Sequence, residues 1–96
     1  MKLRTLQFWE TAVEQLKAIY ERHRTHYEVI WTRCLTLQND AESHVDVKPL
    51  GAKQGAFELF ISGIELENLS PLEGYRVLFF VDAKYVLILS VSRSLR

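Results

Sequence analysis

The sequence predicts an α+β fold, an antiparallel β-sheet with an N-terminal helical hairpin packed on one face. Three observations carry this expectation: a β-hairpin pattern from Gly74 to Val91, a helical stripe from Val13 to Leu37, and shorter strand-like runs around them. In the hairpin, Tyr75 to Val81 and Tyr85 to Val91 are rich in β-branched and aromatic residues and flank the polar-small triplet Asp82, Ala83, Lys84. That pattern suits a tight antiparallel turn. Val77, Phe79 and Val81 point one way while Leu78 and Phe80 point the other, so the strand is apolar on both faces. A sheet wet on one side would alternate, so both faces are expected to be covered, by the chain itself or by a partner. Leu78, Phe80, Leu87 and Leu89 are the expected members of the second face.

Taken from the start, Lys2 to Phe8 reads as a short strand through Leu3, Leu6 and Phe8. Thr11 is followed three residues later by Glu14, the capping-box spacing, which predicts a helix beginning at Thr11. Behind it, Val13, Leu16, Tyr20, His23, Tyr27, Ile30, Cys34 and Leu37 recur at alternating intervals of three and four. A continuous helix from Thr11 to Leu37 would be about 40 Å long, against a radius of gyration of roughly 12 Å for a chain of this size. Mediocre helix formers and clustered positive charge coincide from Arg22 to His26, which favours a helical hairpin broken near His23 to His26 over one rod. Asn39 and Asp40 end it. Val45 to Leu50 is expected to be extended, with a turn at Pro49, Leu50, Gly51, and Phe57 to Ile61 is the next strand. Glu65 to Gly74 is a loop, and the tail from Ser90 to Arg96 is polar and basic.

Ninety-six residues are expected to form one domain, 1–96, with a single modest core. The longest apolar run, Val77 to Val81, is far below the ~20 residues that cross a bilayer. Gln7, Glu10 and Glu14 interrupt any apolar segment behind the basic N-terminus, so a cytoplasmic protein with no membrane association is expected. The lone Cys34 has no intrachain disulfide partner and reads as a small apolar side chain on the helical stripe. His23, His26, Cys34 and His44 match no compact zinc spacing, and neither a metal nor another cofactor is expected. His23 lies on the stripe, where it is expected to be a hydrogen-bonded histidine at the core edge.

Net charge is zero but segregated along the chain. Residues 1 to 39 carry six basic and four acidic side chains, residues 40 to 73 two and seven, and residues 74 to 96 four and one. The ends are basic and the middle is acidic, which describes either a dipolar surface that attracts phosphate or ordinary solvated charge. Arg76 stands apart because it sits inside the most apolar stretch of the chain. A guanidinium there meets either an anion or a carboxylate such as Glu58 or Glu73.

The element order and the run Gly74-Tyr75-Arg76-Val77-Leu78-Phe79-Phe80-Val81-Asp82, with Ser90-Val91-Ser92-Arg93, resemble the RelE/ParE superfamily of toxins. Val47-Lys48-Pro49-Leu50-Gly51 followed by Phe57-Glu58-Leu59 is similar to its HigB-like, phage-derived branch. The resemblance spans residues 45 to 93, and before that it is topological. It implies a type II toxin, neutralised by a cognate antitoxin, that either cleaves messenger RNA on the ribosome, inhibiting translation, or acts on another target as a ParE-like protein. Arg76 and Arg93 would be its catalytic residues, stabilising charge on the phosphate, with Lys48 and Lys53 near the RNA backbone. Glu58 and Phe60 stand where several relatives carry lysines, and the acid or base tyrosine or histidine of other members has no counterpart before Arg96. The alternative is a catalytically degenerate relative that serves as a protein-binding module or homodimer.

Overall fold

The hairpin that dominates the sequence forms the centre of a five-stranded sheet. The computed structural model describes residues 3–41, 46–51, 54–66 and 72–95. Its elements are β1 (Thr5–Phe8), α1 (Glu10–Arg22), α2 (Arg24–Asp40), β2 (Val47–Pro49), β3 (Ala56–Ser62), a 3-10 turn (Gly63–Glu65), β4 (Glu73–Val81) and β5 (Tyr85–Leu95). The strand order is β1-β5-β4-β3-β2. All neighbours are antiparallel except β1, which runs parallel to β5 with Thr5 opposite Tyr85 and Phe8 opposite Ile88. Both helices lie on one face, so the expected α+β architecture is realised with one parallel edge.

The helical segment breaks at His23, whose φ of −143° and ψ of 77° leave the helical region. The break wastes no backbone pairing, because the His23 N–H donates to the Ile19 carbonyl and its own carbonyl accepts from the Tyr27 N–H. At ~1.5 Å per residue the two helices are about 20 and 26 Å long, and both fit a body of 36 × 24 × 23 Å with a Cα radius of gyration of 12.8 Å.

The break also resets the phase of the stripe. Leu16, Ile30, Cys34 and Leu37 are buried as expected, but Val13, Tyr20 and His23 are exposed, while Ala12 and His26 are buried. The core-edge histidine is therefore His26, not His23. The start of α1 differs too: Trp9 is the N-terminal cap, no side chain caps the helix, and Thr11 lies inside the first turn. The Trp9 N–H donates to the Ile88 carbonyl, so the β1–β5 ladder fixes where the helix begins and the capping box is not used.

In β4, Tyr75, Val77, Phe79 and Val81 are buried against the helices and Arg76, Leu78 and Phe80 are half-buried on the other face. Val86, Ile88 and Val91 of β5 are all buried although the last interval is three residues. A bulge makes this possible: Leu78 pairs with Ser90 and Phe79 with Ile88, leaving Leu89 as the extra residue. β5 continues to Leu95, so the polar tail expected after Ser90 is strand. Alternation of Ser92 and Ser94 with Arg93 and Leu95 hides no apolar face, and backbone pairing with Glu73–Arg76 holds it instead. Gly74 permits the close approach of β3, since a Cβ there would lie 2.0 Å from the Ile61 carbonyl oxygen.

Two further features fix the frame. Asp82 Oδ1 accepts from the N–H groups of Lys84 and Tyr85, both at 2.8 Å, and these bonds hold its carboxyl below its usual value, with Arg4 and Lys84 adding attraction. Arg33 of α2 reaches Glu65 at 2.6 Å and Asp46 at 2.6 Å. Burial alone would lower its pKa, but the two carboxylates outweigh that and raise it. Pro49 sits on the edge strand β2, where its missing N–H costs no ladder bond.

Candidate functional site

The sheet face turned away from the helices carries the candidate site. On antiparallel strands, directly opposed residues share a face and neighbours along a strand alternate. Lys48 of β2 is opposite Glu58 of β3, Phe60 is opposite Arg76 of β4, and Arg76 is opposite Ser92 of β5. These side chains thus form a polar strip across an apolar sheet face, with Leu78 beside Glu58 and Phe60 beside Arg76.

Arg76 Nε lies 2.9 Å from Glu58 Oε2, and the side chains are 38% and 20% exposed. Nε is itself shielded from solvent and the approach is out of line for a hydrogen bond, so the contact is a charge pair and not a directed fork. Among the described residues the two Nη groups make no hydrogen bond. The carboxylate alternative for Arg76 is therefore realised, in a geometry that leaves the outer end of the guanidinium open to an anion. Lys48 is exposed at the strip's edge, and Lys53 lies outside the described residues.

Arg93 is not part of this strip. It is opposite Tyr75, whose side chain is on the helix face, and its Nη2 is 3.2 Å from Glu73 Oε2. Arg76 and Arg93 project from opposite faces of the sheet and cannot grip one phosphate together. On the helix side, Tyr75 shares a 3.1 Å hydrogen bond with His26 Nδ1, and the His23 ring stacks on His26 at 4.7 Å. Burial raises the Tyr75 pKa and Arg93 pulls it partly back.

Sequence reasoning named Glu58 as a possible bridge and as a departure from the lysines of relatives, and missed its place as the carboxylate at the centre of the strip. The available signal was a lone acid at the middle of an apolar strand, two residues before an aromatic. The charge segregation also has a structural counterpart. The pairs Arg33–Asp46, Arg33–Glu65, Arg76–Glu58 and Arg93–Glu73 each join a basic end segment to the acidic middle. Among the described residues, no group of three or more His, Cys, Asp or Glu side chains is placed to hold a metal ion. No described helix is long and apolar enough to cross a membrane.

A row of exposed apolar side chains lies on the helical side. Leu78, Phe80, Leu87 and Leu89 are half-buried, whereas Trp9, Val13, Tyr20, Trp31 and Leu35 are 36% to 54% exposed. Phe8 and Trp31 stack at 5.5 Å, Trp31 and Tyr27 at 6.2 Å, and Tyr27 meets Tyr20 edge-on at 5.0 Å. With Val13, Leu16 and Lys17 they line a hollow of 440 Å³ between the helices.

No family model and no curated protein matches the sequence. Solved structures do match the fold. A chain of the toxin-antitoxin complex RelBE2 from Mycobacterium tuberculosis superposes with a TM-score of 0.65 at 20% identity, covering 97% of this chain and 100% of that one. The YoeB dimer from Staphylococcus aureus gives 0.67 at 15% identity, covering 93% and 94%. The chromosomal ParDE toxin-antitoxin system from P. aeruginosa gives 0.65 at 20% identity, covering 95% and 96%. The chain has the RelE/ParE-like fold.

Proposed function

We propose that this chain is the toxin of a type II toxin–antitoxin pair, a ribosome-dependent messenger-RNA endoribonuclease that inhibits translation in the cytoplasm. The observation that carries this reading is the Glu58–Arg76 pair on the open sheet face: a carboxylate and a guanidinium side by side, with Nη groups that make no hydrogen bond among the described residues. Cleavage of RNA by its own ribose needs both. The 2′-oxygen attacks the neighbouring phosphorus, Glu58 takes the 2′-hydroxyl proton, and Arg76 stabilises the charge that builds on the phosphoryl oxygens. The bond from phosphorus to the 5′-oxygen breaks, and that oxygen takes a proton from water. Phe60, opposite Arg76, offers a ring on which a base can stack, and Lys48 and Lys53 attract the flanking backbone. The general base that the sequence left unassigned is then Glu58, and Arg93 stays outside the reacting centre.

The runs at 47–51 and 57–59 support placement in the HigB-like, phage-derived branch. The exposed aromatic row on α1 and α2 is the surface that an antitoxin would cover, since toxin-antitoxin complexes recur among the structures with this fold. A second reading, a degenerate relative acting as a protein-binding module or homodimer, is favoured by one observation: carboxylates already engage both arginines. Induction in cells separates the two. The toxin reading expects growth arrest with cut transcripts, relieved by the product of an adjoining small gene. Unimpeded growth with intact transcripts overturns it in favour of the binding module.

A further inference from the structure

A second cluster of cations lies on the opposite side of the sheet from the Glu58–Arg76 strip, in a hollow of 270 Å³ where the C-terminal end of α1 meets the β4–β5 ladder. Arg22, His23 and Arg93 form its walls together with Gln15, and Tyr75 and Val91 form a floor that is 3% and 1% exposed. Among the described residues the lining contains two guanidinium groups and a histidine and no carboxylate. The acid in contact with the cluster, Glu73, is not among the lining residues and accepts a hydrogen bond from Arg93 Nη2 at 3.2 Å. Gln15 turns its carbonyl oxygen to the Val91 N–H at 2.6 Å, so the end of its amide that remains is the donating NH₂. The Tyr75 hydroxyl is committed to His26. The donors that a ligand would meet are therefore almost all N–H groups, two of them planar forks suited to a tetrahedral oxyanion.

We propose that this hollow binds a phosphate monoester. A dianion can outcompete the single Glu73 carboxylate for Arg93 while also engaging Arg22, which a monoanionic carboxylate does less well. The volume lies just under the roughly 300 Å³ at which small-ligand pockets begin, room for a phosphate with its sugar but not for a dinucleotide. The inference does not depend on the proposed nuclease activity, because no residue of the hollow belongs to the open-face strip. The same chemistry has two sources, a free mononucleotide or the terminal phosphate of an RNA strand.

The test is an NMR titration of the full chain with inorganic phosphate, adenosine 3′-monophosphate, and a short RNA bearing either a 3′-phosphate or a 3′-hydroxyl. Saturable shifts centred on His23, Tyr75 and Val91 are expected with every phosphorylated probe and not with the 3′-hydroxyl RNA. Arg22→Gln and Arg93→Gln should each weaken the phosphate response about tenfold. Arg93→Lys, which keeps the charge and the fold but loses the fork, should fall between. Arg24→Gln, one residue outside the hollow, should leave the affinity unchanged. Tighter binding of the 3′-phosphorylated RNA than of the mononucleotide identifies a strand end, and equal binding identifies the free nucleotide. Shifts that never saturate, or an equal loss in Arg24→Gln, overturn the proposal. Its failure is distinct from failure of the nuclease reading, which is judged by growth and transcript cleavage.

Discussion

Replacing Arg76 by alanine tests the open-face strip, and the structure says how large the effects should be. The pair to Glu58 is 2.9 Å long with side chains 38% and 20% exposed, between a solvated pair worth ~0.2–1 kcal/mol and a buried one whose disruption costs ~3–5 kcal/mol. About 1–2 kcal/mol of stability should be lost, or roughly 5–15 °C in melting temperature for a domain of this size. If the Nη groups also hold the scissile phosphate, the rate should fall by about 2–4 kcal/mol, roughly 30- to 1000-fold. Stability and activity then fall together, so the single variant does not separate them. The double variant Arg76→Ala with Glu58→Gln, read against Glu58→Gln alone, does, because both lack the carboxylate and they differ only at Arg76. The melting temperature of the double variant should recover most of the loss, while its residual transcript cleavage should fall a further roughly 30- to 1000-fold below that of Glu58→Gln. Calorimetry alongside a cleavage assay reads both. If Glu58→Gln and the double variant cleave equally, Arg76 is a structural partner of Glu58 and the phosphate contact is refuted.

Three other outcomes are expected. Gly74→Ala forces a Cβ to within 2.0 Å of the Ile61 carbonyl oxygen, so β3 and β4 must part; a loss of about 2 kcal/mol or more is expected, and a denaturation midpoint equal to that of the parent would contradict it. Asp82 has a folded pKa below its ordinary 3.8, so its contribution is full above that value and is lost as pH falls through the lower folded value. In Asp82→Asn the melting temperature should vary less with pH in that acid window. Cys34 is fully buried and its thiol is pushed up to about 12 by that burial, so a disulfide reagent at neutral pH should label it only as fast as the fold opens. Labelling at the rate of a free thiol would place Cys34 at the surface.

What was legible in the sequence was what is decided locally. The turn at Asp82–Lys84 is written in its own side chain, and the interruption near His23 in the poor propensity around it. What was not legible depends on residues far away. Nothing between Arg22 and His26 reveals how far a break rotates the second helix, and that rotation decides whether His23 or His26 is buried. The capping box at Thr11 and Glu14 has the right letters, but the Ile88 carbonyl holds Trp9 as the cap two residues earlier. The tail beyond Ser90 lacks an apolar pattern because its ladder is held by backbone pairing with Glu73–Arg76. For the site, Arg76 could be singled out from its neighbours alone. That Arg93 faces the other way follows from its opposition to Tyr75, a pairing register no single strand encodes.

The parallel edge strand has a consequence for the order in which the molecule can be made. β1 precedes every other described strand along the chain, yet its ladder partner begins at Tyr85, and Arg4 closes onto the Asp82 carbonyl at 2.9 Å. Until that segment has left the ribosome, the helical hairpin has no β5 to pack on and Leu6 and Phe8 have no parallel neighbour. Loop closure between Thr5 and Tyr85 is then the late and entropically costly event. A polypeptide interrupted before residue 85 would carry Ile30, Cys34 and Leu37 unburied and be a substrate for proteolysis. Assembly thus waits for β5, and products interrupted before it are not partially folded versions of the whole.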